Sequence, residues 1–165
     1  VSGDIDSDDL TGKIAISAMS GDITDNDSSG RLEVNSVSGD VDIDSEAKEV
    51  FFNNVSGRCK LALDEIVELR IRTVSGKLKA ALDLTDKGLL KATTVSGDLA
   101  FDFQWGIDAD FTLKSSVGGD INNQLTKAKA QDDDFGPGTQ LSFQTGKGSA
   151  VVNITTVNGN IKVSD

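Results

Sequence analysis

Apolar residues recur two apart in short runs along this chain, and the runs come in pairs separated by small polar punctuation. Ile14 and Ile16, Leu32 and Val34, Val50 and Phe52, Leu69 and Ile71, Leu90 and Ala92, and Val152 and Ile154 form one series. Phe111 and Leu113 continue it with a one-residue slip, as a β-bulge produces. A second series follows the punctuation: Val41 and Ile43; Cys59, Leu61 and Leu63; Leu99, Phe101 and Phe103; Ile161 and Val163. Period two is the alternation of a strand with one face in and one face out. Apolar residues at i, i+3, i+4 and i+7 are not sustained anywhere, and the short stretches Asp64–Arg72 and Leu82–Leu90 also fit strands. The pattern predicts an all-β chain with at least two short strands per repeat.

The punctuation is itself a repeat, V-S-G-D-I and close relatives. It stands at Val1–Ile5, Met19–Ile23, Val37–Val41, Val55–Cys59, Val74–Leu78, Val95–Leu99, Val117–Ile121 and Val157–Ile161. Its glycines are 18, 18, 18, 19, 21, 22 and then 40 residues apart. A period near 20 predicts a β-solenoid, a single-stranded β-helix whose rungs of 18–22 residues bury their apolar faces only by stacking. The whole chain, 1–165, is then one domain. The usual crossover preference favours a right-handed coil. Within the phrase, period two puts Val, Gly and Ile inward, and Ser and Asp outward. The residue before it (Ala18, Ser36, Asn54, Thr73, Thr94, Ser116, Thr156) would also face inward if the upstream strand ran on, so the backbone must bend there. The glycine supplies a positive φ at that corner or room where walls approach closely. A phosphate-cradling role would need a helix opening behind it, and the pattern shows none.

Stacking in register would turn equivalent residues into ladders about 4.8 Å apart. One is Ser2, Ser20, Ser38, Ser56, Ser75, Ser96, Gly118 and Asn158; its neighbour is Asp4, Asp22, Asp40, Arg58, Lys77, Asp98, Asp120 and Asn160. Adjacent like charges at that spacing cost roughly 0.9 kcal/mol per pair in bulk water. Midway the ladder answers this, with Asp40 beside Arg58 and Lys77 beside Asp98. At the ends the acids would splay into solvent, accept turn amides, or share a calcium ion. Ser20, Ser38, Ser56, Ser75 and Ser96 with Asp40, Arg58 and Lys77 make the candidate interaction face.

From Asn122 to Gly148 the pattern loosens, and the 40-residue gap suggests a degenerate rung there, with Leu141–Gln144 one strand and Ala150–Ile154 the next. Gln131–Gly138 reads as an acidic protruding turn, in which Asp132, Asp133 and Asp134 are further calcium candidates, although the spacing is not that of an EF-hand loop. No other cofactor is expected.

Charge narrows the partners. The net charge of −11 disfavours nucleic acid and acidic membrane surfaces. No run of 18 apolar residues predicts a span, and the chain, opening inside a repeat phrase, is expected to be trimmed from a longer one. Cys59 shares a column with Ile23, Val41 and Leu78, so it reads as a buried small hydrophobe; without any histidine a reactive thiol is disfavoured.

The reiterated T-V-S-G-D-[ILV] phrases at Thr73–Leu78 and Thr94–Leu99, with the closing Gly146-Lys147-Gly148 and Thr156–Val163, resemble a bacterial adhesin-labelled family of β-solenoids, also called toast-rack domains. The resemblance spans essentially the whole chain; Arg58-Cys59, Lys77 and Gly118 depart from its outer face. It implies a β-helix in a bacterial envelope or extracytoplasmic setting, periplasmic or secreted, and it supplies no catalytic residues. The expectation is a non-catalytic structural or interaction module with a protein or envelope-glycan partner. A calcium-dependent carbohydrate binder is the alternative, and a polysaccharide-active enzyme a weaker one, with Trp105 the one platform for stacking a sugar. Exposed solenoid ends need covers, so an atypical rung or another copy of the chain, end to end or edge to edge, is expected at one end.

Overall fold

A computed structural model describes residues 2–104, 106–132 and 136–165. Among them every regular element is a strand. The strands are β1 (Ile5–Asp8), β2 (Thr11–Ala18), β3 (Ile23–Ser36), β4 (Val41–Ser45), β5 (Glu49–Asn54), β6 (Arg58–Phe103), β7 (Ala109–Ser115), β8 (Ile121–Asn123), β9 (Gln131–Asp132), β10 (Thr139–Gln144), β11 (Ala150–Asn158) and β12 (Ile161–Ser164). Pairing between repeats is parallel: Ile5 lies beside Ile23, Ile23 beside Val41 and Val41 beside Cys59. Ile14 lies beside Leu32, Leu32 beside Val50 and Val50 beside Leu69. Residues sharing a letter one period apart are therefore neighbours in space.

The two apolar series become the inward columns. Leu32, Val50, Leu69, Leu90 and Val152 are sealed from solvent, as are Ile43, Leu61, Phe101 and Val163 in the column across the coil. The core is long and narrow, fed by alternating positions of every rung.

The corner differs from the expectation in phase. The phrase's first residue points outward: Val37, Val55, Val74, Val95, Val117 and Val157 are all half-exposed. The preceding small residue keeps the inward place, so Ala18, Ser36, Asn54, Thr73, Thr94 and Thr156 are buried. In the slipped rung Ser115, not Ser116, fills this column. The upstream strand's alternation thus runs one residue into the phrase. Glycine then resets it, because its positive φ turns the chain so that Asp40 faces out and Val41 in. Glycine has both expected jobs. Gly57 sits at φ 125° with its open side on the Gly39 carbonyl, where any Cβ would collide with backbone.

Stacking order departs from chain order at the C-terminal end. β11 pairs in parallel with β6 on one side, Val152 beside Leu90, and with β7 on the other, Val152 beside Phe111. β12 likewise lies between β6 and β8. The last repeat is therefore wedged between the sixth and the seventh. Residues 122–148 do not form a rung between the seventh and eighth repeats. Their strand β10 pairs antiparallel with β7, and β9 antiparallel with β10, covering the outer edge of the seventh repeat. Phe143 stacks on Phe111 at 4.5 Å, and Phe111 meets Phe103 edge-on at 5.5 Å, so this cover has an aromatic floor. At the opposite end β1 and β2 pair only with β3, leaving one edge unpaired among the described residues.

Candidate interaction face

The column after the glycine is a ladder of hydrogen bonds. The Asp22 amide donates to the Asp4 carboxylate at 3.0 Å, the Asp40 amide to Asp22 at 2.8 Å and the Arg58 amide to Asp40 at 3.1 Å. Each carboxylate thus satisfies the backbone N–H of the next rung at the corner, where glycine interrupts the regular sheet ladder. At Arg58 the carboxylate is missing, and the Lys77 amide turns to the Gly57 carbonyl instead, at 3.2 Å. Arg58 answers with its guanidinium, whose Nε and Nη2 donate to Asp40 at 3.1 and 2.7 Å. The Arg58 amide, and after it the guanidinium, hold the Asp40 carboxyl below the usual carboxylate range.

Beyond Lys77, which lies 3.9 Å from Asp98, the ladder reads differently from the text. The wedged last repeat places Asn160 between Asp98 and Asp120. The Asn160 side-chain amide donates to Asp98 at 2.9 Å, and its carbonyl oxygen accepts the Asp120 amide at 2.9 Å. Asp98 and Asp120 are therefore not the unrelieved like-charge neighbours that chain order implied. The serine column is partly engaged too: the Ser38 and Ser56 hydroxyls each donate to a carbonyl of the preceding rung at 3.2 Å, those of Met19 and Val37. Ser2 and Ser20 bridge through their backbones, and Ser20, Ser75 and Ser96 stand exposed.

The calcium candidates that lie among the described residues do not converge. Among the described residues no three Asp, Glu, Cys or His side chains gather as a metal group. Asp132 is exposed and accepts from the Thr139 hydroxyl at 3.4 Å; Asp133, Asp134 and Trp105 lie outside the described residues. Cys59 is buried, and burial, then the Asp40 charge, push its thiol up to about 12.

Four features escaped the reading of the sequence. Lys60 and Lys79 join the expected Arg58 and Lys77 in a groove of about 630 Å³ that Asp22, Asp40 and Asp42 also line, with Lys60 on Asp42 at 3.4 Å. Adjacent rungs signal this in the text, since each carries two cations two residues apart. Asp25 is fully buried, and one of its oxygens accepts the Ser7 and Ser28 hydroxyls at 2.6 and 2.7 Å. Its place in the inward column, beside Ile43, was the available signal. Asp108 accepts the amides of Lys147 and Ser149 at 2.7 and 2.9 Å, so Gly146-Lys147-Gly148 is a backbone cradle for a carboxylate. Those bonds, Ser149 first, hold the Asp108 carboxyl low. At the second corner Glu46, Asp64, Glu65 and Asp83 ring Lys48, and burial, then the charges of Asp64 and Glu65, push the Asp83 carboxyl up.

An all-β chain of parallel-stacked repeats, with a phrase spent on corner hydrogen bonds, defines the class of molecule. The profile of the Toastrack DUF4097 family matches residues 1–164, and the chain belongs to that family. Searches of curated proteins and of solved structures returned no significant match.

Proposed function

We propose that the chain is a right-handed, single-stranded β-solenoid acting as a non-catalytic structural or interaction module of the bacterial cell envelope, adhesin-like in the sense of presenting a long polar face. One observation carries the reading: the repeated polar residues serve the rungs themselves. Asp4, Asp22, Asp40 and Asp98 accept amides of the next rung rather than converging on a reacting centre. The parallel register supports the solenoid, and the crossover preference supports its hand. The partner is a protein or an envelope glycan, and the face it meets is the Ser20–Ser96 column with Asp40, Arg58 and Lys77. The extracytoplasmic setting rests on the family resemblance.

The test is retention of defined envelope glycans and purified envelope proteins on the immobilised chain, compared with a variant carrying Ser56→Arg and Ser75→Arg. Binding of one component by the parent and its loss in the variant is expected. Retention of none, together with turnover of any polysaccharide in a degradation screen, overturns the reading. A rise in melting temperature with calcium and calcium-dependent glycan retention would instead establish the calcium-dependent carbohydrate binder.

A further inference from the structure

The outward corner residues stack into one continuous apolar ridge. In spatial order it runs Met19, Val37, Val55, Val74, Val95, Val157 and Val117, each 41 to 67% exposed. Seven residues at the sheet spacing make a line on the order of 30 Å long. Scattered surface valines need no explanation, but a contiguous line of them does. Beside it lies a groove of about 450 Å³, floored by Ala18, Ser36, Asn54 and Thr73 and walled by Asn35 and Asn53.

Charge is nearly absent here. The column across the groove is Ser17, Asn35, Asn53, Arg72, Thr93, Thr155 and Lys114, in the register of the paired strands. On the ridge's other side stand Ser20, Ser38, Ser56, Ser75, Ser96, Asn158 and Gly118. Of the 21 positions in these three columns of seven, only Arg72 and Lys114 are charged and none is acidic. Elsewhere the chain carries 27 acids, so this strip is where two copies meet without like-charge repulsion.

We infer that the ridge and groove form a homodimer interface, the ridge of one copy lying in the groove of a second, antiparallel copy about a two-fold axis. Three features favour a second copy over other occupants. A second copy brings ridge and groove with the same rung spacing, so side chains interdigitate rung against rung where the groove runs, from Ala18 to Thr73. The two-fold arrangement closes, burying both ridges at once. The ridge exposes on the order of 400–500 Å². Doubled and joined by the groove walls, that reaches the roughly 1,000 Å² a specific interface requires. The inference does not rest on the envelope reading, but the Ser20–Ser96 column borders both surfaces, so a second copy and an envelope partner would compete for it.

The experiment is sedimentation velocity of the full chain over a wide concentration range, with Val55→Lys/Val74→Lys as the disrupting variant. Lys162→Glu on another face is the control, and thermal melts check that each variant folds. The parent is expected to dimerise, the control to match it, and the lysine pair to weaken dimerisation by at least about tenfold at unchanged Tm. As a second arm, Val74→Cys is expected to give a disulfide-linked dimer under mild oxidation, since buried Cys59 stays silent. A parent that remains monomeric with no Val74→Cys cross-link overturns the inference, as does a dimer indifferent to the lysine pair. A monomer that cosediments with lipid vesicles through the ridge also overturns it and assigns the strip to a membrane surface.

Discussion

The repeated glycine does two things in this chain, and comparison with Gly12, which lies outside the phrase, separates them. Gly57 has a positive φ and lies on a backbone carbonyl; Gly12 has a positive φ, 98°, with open space on its free side. An alanine at Gly12 meets only the left-handed backbone cost, about 1–2 kcal/mol. An alanine at Gly57 must in addition push two rungs apart, and a loss of about 3 kcal/mol or more is expected. Chemical denaturation of Gly12→Ala and Gly57→Ala checks the difference; equal losses would mean that the rungs do not bear on one another at the corner. Cys59 offers a second residue-scale check. With its thiol pushed up to about 12 and its side chain buried, it should resist a disulfide reagent at neutral pH and react stoichiometrically once the chain is unfolded.

At the scale of elements, two carboxylates at the corners and cover predict opposite responses to pH. Asp108 binds the amides of the turn before β11, and its folded pKa lies below its unfolded value. It therefore stabilises above the ordinary carboxylate pKa, and that contribution disappears as pH falls through the lowered folded value. Asp83 is raised by burial and by Asp64 and Glu65, so it destabilises once pH exceeds its unfolded pKa and ceases to do so in acid. Asp108→Asn should lower Tm at neutral pH and Asp83→Asn should raise it, both differences shrinking below the carboxylate range in thermal melts. The same elements show what was legible in the text. The inward columns and their registers were, because period-two alternation repeated every 18 to 22 residues has one stacked solution. The corner's phase was not: valine is apolar and β-branched whether it faces in or out, and only the glycine's φ decides. The Asp108 cradle belongs to no repeat, so periodicity could not find it, although the G-x-G pair marked the place.

The whole molecule is closed by an exchange of order that chain spacing concealed. A 40-residue gap reads as two periods, yet the intervening segment covers the end while the last repeat moves inward past it. The consequence is that β7 has no direct partner in the first six repeats: its neighbours are β10 and β11, both made later in the chain. The seventh repeat can therefore dock only after Ala150–Ser164 has filled the place between. A fragment ending at Gly119 would leave β7 without a sheet and expose the edge of β6 with Leu90, Leu99 and Phe101 beside it. Such an edge is long, apolar and unpaired, the arrangement that templates aggregation. Expressed alone, residues 1–119 should aggregate or melt without cooperativity, whereas adding the missing segment in trans should restore a cooperative transition by light scattering and circular dichroism. A soluble, monomeric, cooperatively melting 1–119 would show that the first repeats close by themselves, and the wedged position of the last repeat would then carry no part of the stability.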